Sequence, residues 1–339
     1  MRAVVLTDVE TIEVQEVQEP SHGPEEVLIR VGAGGICGSD MHAYRGHHPF
    51  RRPPVVLGHE VAGEVIEVGS QVRGIQPGDR VAVEPQIACM SCSLCLRGLT
   101  NLCQSARRPG LGWGGTFAEL MIAPERVVYP LRADTPFEFG ALVEPAAVAM
   151  RAFRRGEVRL GDRVAVLGAG PIGGLIAHIS ERAHPGVLLV TDIKAFNLRF
   201  VESLGVEHAM DASASDVVEA GRELTDGEGF DVVFVTSPND SGLIDAVQLA
   251  RPGGRIVQVA IYGRQIPFDA TQAVLREVEI RASLTYSPDD FRLTAKMISE
   301  KSLDAGAFIT HRYTLDRAGD AFSDIAEGMD HVKVILTVE

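Results

Sequence analysis

The chain has 339 residues, of which 45% are hydrophobic and 23% charged, and its formal net charge is −14. This length allows two domains with a sizeable core. The excess of acidic residues argues against partners such as nucleic acids or anionic membrane surfaces, because like charges repel. No apolar run is long enough to span a bilayer, and Asp8 interrupts the N-terminus too early for a signal peptide. We therefore expect a cytoplasmic protein whose partner is a small molecule.

Short β-type runs, separated by Gly and Pro, occupy the first part of the chain, up to about residue 147. Examples are "EEVLIRV", "VAGEVIEVGS" and, after a Pro-Gly-Asp turn, "RVAVEP". Runs of this length with such turn residues are typical of a compact β domain. The sequence thus predicts a barrel-like β domain over residues 1–147.

Four of the five cysteines lie in the segment "ACMSCSLCLRGLTNLC", within a lobe of about residues 86–105. They are Cys89, Cys92, Cys95 and Cys103. Clustered thiols in a reducing compartment bind metal more often than they form disulfides. Four thiolates around one tetrahedral zinc ion leave no open position, so such a site is structural. An iron–sulfur cluster is the main alternative, and four unrelated buried thiols are a less favoured one.

From about residue 148 the pattern changes to strands that alternate with helices. "RVAVLG", "VLLVTD", "EHAM", "DVVFVT", "GRIVQVA" and "EIRASLT" are predicted strands, with helical patterns between most of them. Six strands in such alternation predict a doubly wound parallel sheet, an α/β fold, over residues 148–285. Residues 286–339 combine a helical pattern with a last strand, "VKVILTVE", and are interpreted as a return to the first domain.

The second domain opens with the glycine motif "VLGAGPIGG". Gly168, Gly170 and Gly173, with Ile172 between them, follow a predicted strand and begin a helix. In this context the glycines allow backbone N–H groups to approach a pyrophosphate at the helix N-terminus. Asp192 ends the next strand, where a carboxylate binds the adenosine ribose and repels a 2′-phosphate, so the motif predicts NAD binding. The alternative role of Asp192 is a helix N-cap.

A second group of metal-binding residue types is spread along the first domain. Cys37, His59, Glu60 and Glu144 include one thiol, one imidazole and two carboxylates. Each alone is a weak signal, since a single cysteine is usually a small buried hydrophobe. Together they could hold a zinc ion that keeps an open position for chemistry.

Seven motifs in sequence order now give a specific resemblance. They are "CGSDMH", "GHEVAGEV", "GDRVAVEP", the four-cysteine lobe, "GGTFAE", "EPAAVA" and "GAGPIG". With these motifs the chain resembles the zinc-dependent medium-chain alcohol dehydrogenases, in particular the sorbitol, butanediol and threonine 3-dehydrogenases. The resemblance implies a GroES-like β-barrel catalytic domain plus a Rossmann domain, two zinc ions per chain, NAD and a homotetramer or homodimer.

The resemblance also implies roles for individual residues. Cys37, His59 and Glu60 match catalytic zinc ligands, and Glu144 matches a fourth ligand or a residue that contacts zinc through water. A further three residues of "CGSDMH" match supporting roles: Asp40 orients His59, while Ser39 and His42 form a proton relay. The alternative for His42 is a surface histidine. The four-cysteine lobe matches the structural zinc site of the family.

Three departures from the family pattern bear on cofactor and substrate. Asn197 stands where an arginine often follows the strand-ending Asp, with Arg199 two positions further on, which leaves the strictness of the NAD preference open. Arg151 occupies a position that is often histidine in polyol dehydrogenases. The loop of residues 44–54 contains His47, His48, Arg51 and Arg52. These four could recognise an acidic or hydroxyl-rich substrate, but a solvated basic loop is the favoured interpretation.

The predicted function is hydride transfer between NAD and a secondary alcohol, either a polyol, a vicinal diol or a sugar-derived alcohol. L-Threonine 3-dehydrogenase is the alternative, and an inactive NAD-binding relative is less favoured.

Overall fold

The computed structural model describes residues 1–338. Two compact units divide the chain: Met1–Pro145 together with Ser287–Glu339 form unit 1, and Ala146–Tyr286 form unit 2. Among the described residues, no helix combines the length and the apolar character that crossing a membrane requires.

The first part of unit 1 consists mainly of strands, joined by tight turns and a few short helices. Its elements are β1 (Arg2–Asp8), β2 (Thr11–Glu16), β3 (Glu26–Ile36), α1 (Gly38–Tyr44), β4 (Val55–Val56), β5 (Glu60–Val68), β6 (Arg80–Val83), α2 (Ser93–Leu96), β7 (Arg108–Pro109), β8 (Gly112–Trp113), β9 (Leu120–Pro124), β10 (Val128–Pro130) and α3 (Phe137–Ala141).

Unit 2 alternates strands with helices, as predicted. Its elements, beginning with a helix that crosses the unit boundary, are α4 (Val143–Gly156), β11 (Arg163–Leu167), α5 (Pro171–Glu181), β12 (Val187–Asp192), α6 (Ala195–Ser203), β13 (His208–Asp211), α7 (Val217–Glu223), β14 (Phe230–Val235), α8 (Gly242–Leu249), β15 (Ala250–Gln258), α9 (Ala270–Leu275) and β16 (Glu279–Ala282).

The chain then returns to unit 1. The returning elements are α10 (Pro288–Ser299), β17 (Ile309–Thr314), α11 (Ala318–Ala326) and β18 (Lys333–Thr337). β18 pairs antiparallel with β3, and Val334 lies opposite Ile36. The main sheet of unit 1 has the order β10-β6-β5-β3-β18-β17, and β9 also pairs with β3. The last strand of the chain therefore lies beside the strand that leads into Cys37.

The sheet of unit 2 has the order β13-β12-β11-β14-β15-β16, and every neighbouring pair is parallel. β11 and β12 consist largely of buried apolar residues, as expected for strands covered by helices on both faces. This topology is a Rossmann sheet, so the predicted doubly wound fold is confirmed. The strand order reverses between β11 and β14, in the middle of the sheet, and the carboxyl ends of the strands at this point form the region where such folds bind nucleotides.

Candidate active site

Strand register brings the predicted metal-binding residues of unit 1 together. β3 ends at Ile36, directly before Cys37, while β5 begins at Glu60, and Gly35 lies opposite Glu60 in the antiparallel pair. A Cβ at position 35 would lie 2.0 Å from Glu60 Oε2, so only glycine leaves room for the glutamate side chain. The thiol and the carboxylate therefore meet at one end of the sheet, although 23 positions separate them in the sequence.

Donor atoms of Cys37, His59 and Glu60 all lie within 4.8 Å of one another, and the last two residues are buried. One thiol, one imidazole and one carboxylate form a set that suits zinc with a position left open, so the residues fit a catalytic zinc ion. Glu144 is buried but does not belong to this group within the same distance. Its role as a direct ligand is therefore not supported by the geometry, and a contact through water remains a prediction.

Asp40 supports the imidazole of this group. The Asp40 side chain is fully buried, and its Oδ1 lies 3.3 Å from His59 Nδ1, while Oδ2 accepts the Cys37 backbone N–H at 3.1 Å. Burial alone would raise the pKa of Asp40, but His59 and Arg51 outweigh it and hold the pKa at about 2. An ionised Asp40 fixes His59 through Nδ1, which leaves Nε2 as the nitrogen available for a metal.

Lys333 approaches the same group from β18. Its Nζ donates to Glu60 Oε1 at 2.7 Å and Oε2 at 2.9 Å, and to the Ile36 carbonyl at 3.2 Å. Burial lowers the pKa of Lys333, but Glu60 and Cys37 outweigh it and raise the pKa above the usual value. A charged lysine therefore neutralises the glutamate inside the protein. Lys333 is not among the residues predicted from the sequence, although a lysine inside the apolar run "VKVILTV" is an unusual signal.

The two predicted relay residues lie on α1, which begins directly after Cys37. Ser39 is half-buried, and its Oγ accepts a hydrogen bond from Arg51 Nη1 at 3.2 Å. His42 is exposed to solvent. Arg51 itself is buried, with a relative exposure of 7%, whereas Arg52 is exposed. A solvated basic loop is therefore the wrong interpretation for Arg51, because its guanidinium finds acceptors inside the protein.

The four-cysteine lobe has the geometry of a closed metal site. Donor atoms of Cys89, Cys92, Cys95 and Cys103 lie within 4.8 Å of one another. Four sulfurs at the usual 2.3 Å from one tetrahedral zinc ion are about 3.8 Å apart, and the Cys89 and Cys95 sulfurs lie 3.9 Å apart. Backbone N–H groups also point at sulfur, since Cys92 N lies 3.4 Å from Cys89 Sγ. The lobe therefore fits a structural zinc ion.

The glycine motif of unit 2 forms a tight turn between β11 and α5. Gly168 has φ +108°, and a Cβ at Gly173 would lie 1.8 Å from the Gly168 carbonyl oxygen, so both positions require glycine. Gly170 caps α5, and Pro171 occupies its first turn. A cavity of about 330 Å³ adjoins the turn and is lined by Gly168, Gly170, Ile172, Gly173, Asp192 and their neighbours. This cradle fits a dinucleotide pyrophosphate.

Asp192 connects the two predicted parts of the nucleotide site. Its Oδ2 accepts the Ala169 N–H at 2.8 Å and the Asn197 side-chain amide at 3.1 Å, and Oδ1 accepts the Lys194 N–H at 2.8 Å. Lys194, not Asp192, is the N-cap of α6, so the N-cap alternative does not hold. Asn197, at the position where the family often has arginine, therefore orients the carboxylate and brings no positive charge.

Comparisons with known proteins agree with this geometry. Residues 23–133 match the model of the alcohol dehydrogenase GroES-like domain, and residues 171–300 match that of the zinc-binding dehydrogenases. Sorbitol dehydrogenase of Halalkalibacterium halodurans is 34% identical over 99% of both chains. The chain belongs to the zinc-dependent medium-chain alcohol dehydrogenase family. L-Galactonate-5-dehydrogenase of Escherichia coli is 30% identical, over 94% of this dehydrogenase and 93% of the relative.

Solved structures share the fold of this dehydrogenase along its whole length. A zinc-binding dehydrogenase from Sinorhizobium meliloti, bound to NADP, has a TM-score of 0.93 at 32% identity and covers 99% of this chain and 98% of its own. 2R,3R-Butanediol dehydrogenase from Bacillus subtilis has a TM-score of 0.91 at 30% identity and covers 99% of both chains. These similarities confirm the GroES-like domain and the Rossmann domain predicted from the sequence.

Proposed function

We propose that this dehydrogenase oxidises a secondary alcohol of a polyol, a vicinal diol or a sugar-derived acid, with NAD as the hydride acceptor. The observation that carries the proposal is the open group of Cys37, His59 and Glu60, in a chain that also has a nucleotide cradle. The names of the relatives support the substrate class, since they include sorbitol, galactonate and butanediol dehydrogenases.

Different residues of the chain have different roles in the proposed reaction. Cys37, His59 and Glu60 would hold a zinc ion, which would supply a Lewis acid for an alcohol hydroxyl, and the glycine turn of unit 2 would hold NAD, which would supply the hydride acceptor. Asp40 keeps the imidazole of His59 in place through Nδ1. Ser39 Oγ lies on the same helix, where it can take the hydroxyl proton, and the exposed His42 can pass that proton to solvent.

The preference for NAD over NADP is proposed from the charge at the end of β12. A 2′-phosphate on the adenosine ribose would meet the Asp192 carboxylate, and like charges repel. Asn197 adds no positive charge that would offset this repulsion, and Arg199 is exposed. Because the structure of the Sinorhizobium meliloti relative contains NADP, the preference of this chain for NAD or NADP must be measured.

Threonine 3-dehydrogenase activity stays the alternative, because enzymes of that name are also among the relatives. The enzyme from Pyrococcus furiosus is 30% identical over 93% of this chain and 92% of its own. An inactive NAD-binding relative is less favoured, since such a protein needs no open group of metal ligands.

A homo-oligomer is proposed from the edge of the sheet in unit 2. β16 is the terminal strand in the order given above, and the nearby apolar side chains Ile261, Ile280 and Leu284 are exposed by 75%, 42% and 43%. A second copy could pair with this edge and cover these side chains. We further propose a cytoplasmic location, because none of the five cysteines, all of them among the described residues, forms a disulfide, and a reducing compartment keeps cysteines in that state.

The decisive experiment is a screen for NADH formation with sorbitol, butanediols, sugar acids and L-threonine. Zinc-replete wild type is compared with Cys37→Ser, which lacks the thiol of the open site. We expect turnover of at least one polyol, diol or sugar acid by wild type and none by the variant. Turnover of threonine alone would select the alternative, and equal rates with and without Cys37 would contradict the role of the open zinc site.

A further inference from the structure

Arg51 is a buried arginine beside the open metal site, in a loop that otherwise is largely exposed. Its own backbone holds it there, since the Arg51 N–H donates to His48 Nδ1 at 3.1 Å. Burial, together with the charge of Arg51, lowers the pKa of His48 to about 4, so this histidine is neutral and able to accept the bond. The neighbouring Arg52 points to solvent and has no such arrangement.

The guanidinium of Arg51 donates to three acceptors, which lie in two separate segments of the chain. Nη1 donates to Asp40 Oδ1 at 3.1 Å and to Ser39 Oγ at 3.2 Å, and Nε donates to the Pro109 carbonyl at 3.1 Å. The planar fork of arginine can bind all three at once, which the single ammonium of lysine cannot do with the same geometry.

The turn that follows the cysteine lobe is shaped to admit this side chain. Gly110 has φ +80°, and a Cβ at this position would lie 2.7 Å from Arg51 Cγ. Any other residue at 110 would therefore strain the backbone and press on the arginine. The position of Arg51 is thus determined from two sides, by Gly110 and by the acceptors Asp40 and Ser39.

We propose that Arg51 is a positioning residue that links the metal-binding His59 to the proton-accepting Ser39. The inference rests on the proposed function. On one side, Asp40 Oδ1 contacts both Arg51 Nη1 at 3.1 Å and His59 Nδ1 at 3.3 Å. The arginine therefore fixes the carboxylate that orients the imidazole. On the other side, arginine can only donate, so the Ser39 hydroxyl must accept from it and direct its own hydrogen elsewhere.

Recognition of an acidic substrate by Arg51 is disfavoured by the same contacts. Its Nη1 and Nε already have protein acceptors, and only 8% of its side chain is exposed. A substrate carboxylate that bound Nη1 would have to replace Asp40, which is fully buried. Arg51 therefore acts on the reaction through Asp40 and Ser39.

The test uses Arg51→Met and Arg51→Lys, with Arg52→Met as the matched control at the exposed neighbouring arginine. The first readout is steady-state kinetics, and the second is the rate at which a chelator removes zinc from the open site. The visible spectrum of protein loaded with cobalt(II) at that site is the third. We expect Arg51→Met to lower kcat and to speed zinc loss, each by about 10- to 100-fold, with the KM for NAD unchanged. Arg51→Lys should recover part of both effects, and Arg52→Met should match wild type.

A double-mutant cycle with Ser39→Ala separates positioning from simple structural support. If Arg51 acts partly through the serine hydroxyl, Arg51→Met should lower kcat by a smaller factor in the Ser39→Ala background than in the wild-type background, and the effect that is left is the part that passes through Asp40. A loss of kcat as large as in the wild-type background would overturn that link. If Arg51→Met loses zinc at the same rate as wild type and has the same cobalt(II) spectrum, the link between Arg51 and His59 is overturned.

Separate control experiments distinguish misfolding of a variant from failure of the proposed function. If Arg51→Met does not fold, Gly110→Ala replaces it in the test, because the added Cβ displaces the arginine side chain and keeps its charge. Unchanged kcat and zinc retention in Gly110→Ala would overturn the proposal. If wild type oxidises no alcohol, the proposed function fails. The chelator and cobalt measurements still decide whether Arg51 holds His59, because they need no substrate.

Discussion

Lys333 donates to both carboxylate oxygens of Glu60, at 2.7 and 2.9 Å, in a position where the two side chains are 4% and 1% exposed. The glutamate therefore has two competing partners, the lysine and any zinc ion held by Cys37 and His59. A buried carboxylate must be neutralised by one of them, because an isolated buried charge is costly. This competition predicts that the contribution of Lys333 to stability depends on zinc.

Lys333→Met should destabilise the zinc-free protein by about 3–5 kcal/mol, since it leaves Glu60 buried without its partner. In the zinc-loaded protein the loss should be smaller, because the metal compensates the same charge. Unfolding by urea, with and without zinc, measures both values. The control is Lys296→Met, whose side chain is 68% exposed and lies 3.9 Å from Glu300. An equal loss of stability in the two metal states would contradict the competition.

Two zinc ions per chain with separate sites are predicted from the two donor groups. Cys37→Ser should remove one zinc ion and the activity, while the protein stays folded and still binds NAD. Cys95→Ser should remove the other ion and lower the unfolding temperature, since a structural zinc ion stabilises its fold directly. Elemental analysis of both variants decides this, and each variant is the control for the other. A wild-type protein that holds one zinc ion or none when metal-replete would contradict the prediction.

Local patterns in the sequence allowed much of this site to be predicted. The C-x-x-C spacings place three of the four lobe thiols within seven residues, so sequence distance and spatial distance are nearly the same. The glycine motif likewise needs only one turn between a strand and a helix. Cys37 and Glu60 could be paired through the resemblance to the family, and the register of β3 and β5 gives the physical reason for their contact.

The rest depends on contacts that no local pattern encodes. Lys333 meets Glu60 across 273 positions of sequence, through the pairing of β18 with β3. Arg51 lies in a run of histidines and arginines that is typical of an exposed loop, and its burial arises from the turn at Pro109 and Gly110. Such residues become visible only when the register of distant strands and the course of loops are known.

Cofactor preference should respond to the charge at position 192. Asp192→Asn keeps an oxygen that can accept one of the backbone N–H groups but removes the repulsion of a 2′-phosphate. We expect the ratio of kcat/KM for NADP to that for NAD to rise about tenfold or more, as one charge interaction at close range allows. Glu219→Gln, which removes an exposed negative charge elsewhere in unit 2, is the control. Equal use of NAD and NADP by wild type would show that Asp192 does not select the cofactor.

The buried Glu84 predicts a pH-dependent change in the stability of the folded protein. Burial raises the pKa of Glu84 to about 7 from the usual 4.5, although Tyr129 Oη donates to it at 2.9 Å. Between these two pH values the folded protein holds a proton that the unfolded chain releases, so stability falls as pH rises and then levels off above pH 7. Glu84→Gln removes this penalty.

The Glu84→Gln variant should therefore exceed wild type in stability by on the order of 2–3 kcal/mol at slightly alkaline pH, with little difference below the usual glutamate pKa. Urea unfolding of zinc-loaded protein across pH measures the difference. Glu13→Gln, at an exposed glutamate, is the control. Parallel stability curves for Glu84→Gln and wild type would show that Glu84 is ionised in the folded protein.

The proton relay gives the last prediction. Ser39 Oγ lies beside the open metal site and accepts from Arg51, whereas His42 on the same helix is exposed. General acid–base steps contribute about a hundred- to ten-thousand-fold to rates, and Ser39→Ala should fall in the upper part of that range, since it removes the group nearest the substrate. His42→Ala should cost less, because water can replace the outer member of a relay.

The two relay variants should also respond differently to added buffer. Imidazole should partly restore the rate of His42→Ala, which is open to solvent, but not that of Ser39→Ala, because Ser39 is half-buried and is the relay member assigned to take the proton from the substrate. The measurement is alcohol oxidation across pH with saturating NAD, and His47→Ala, at an exposed histidine of the following loop, is the control. A His42→Ala enzyme with the rate and pH profile of wild type would show that His42 is a surface residue, and the proton from Ser39 would then reach solvent by another route.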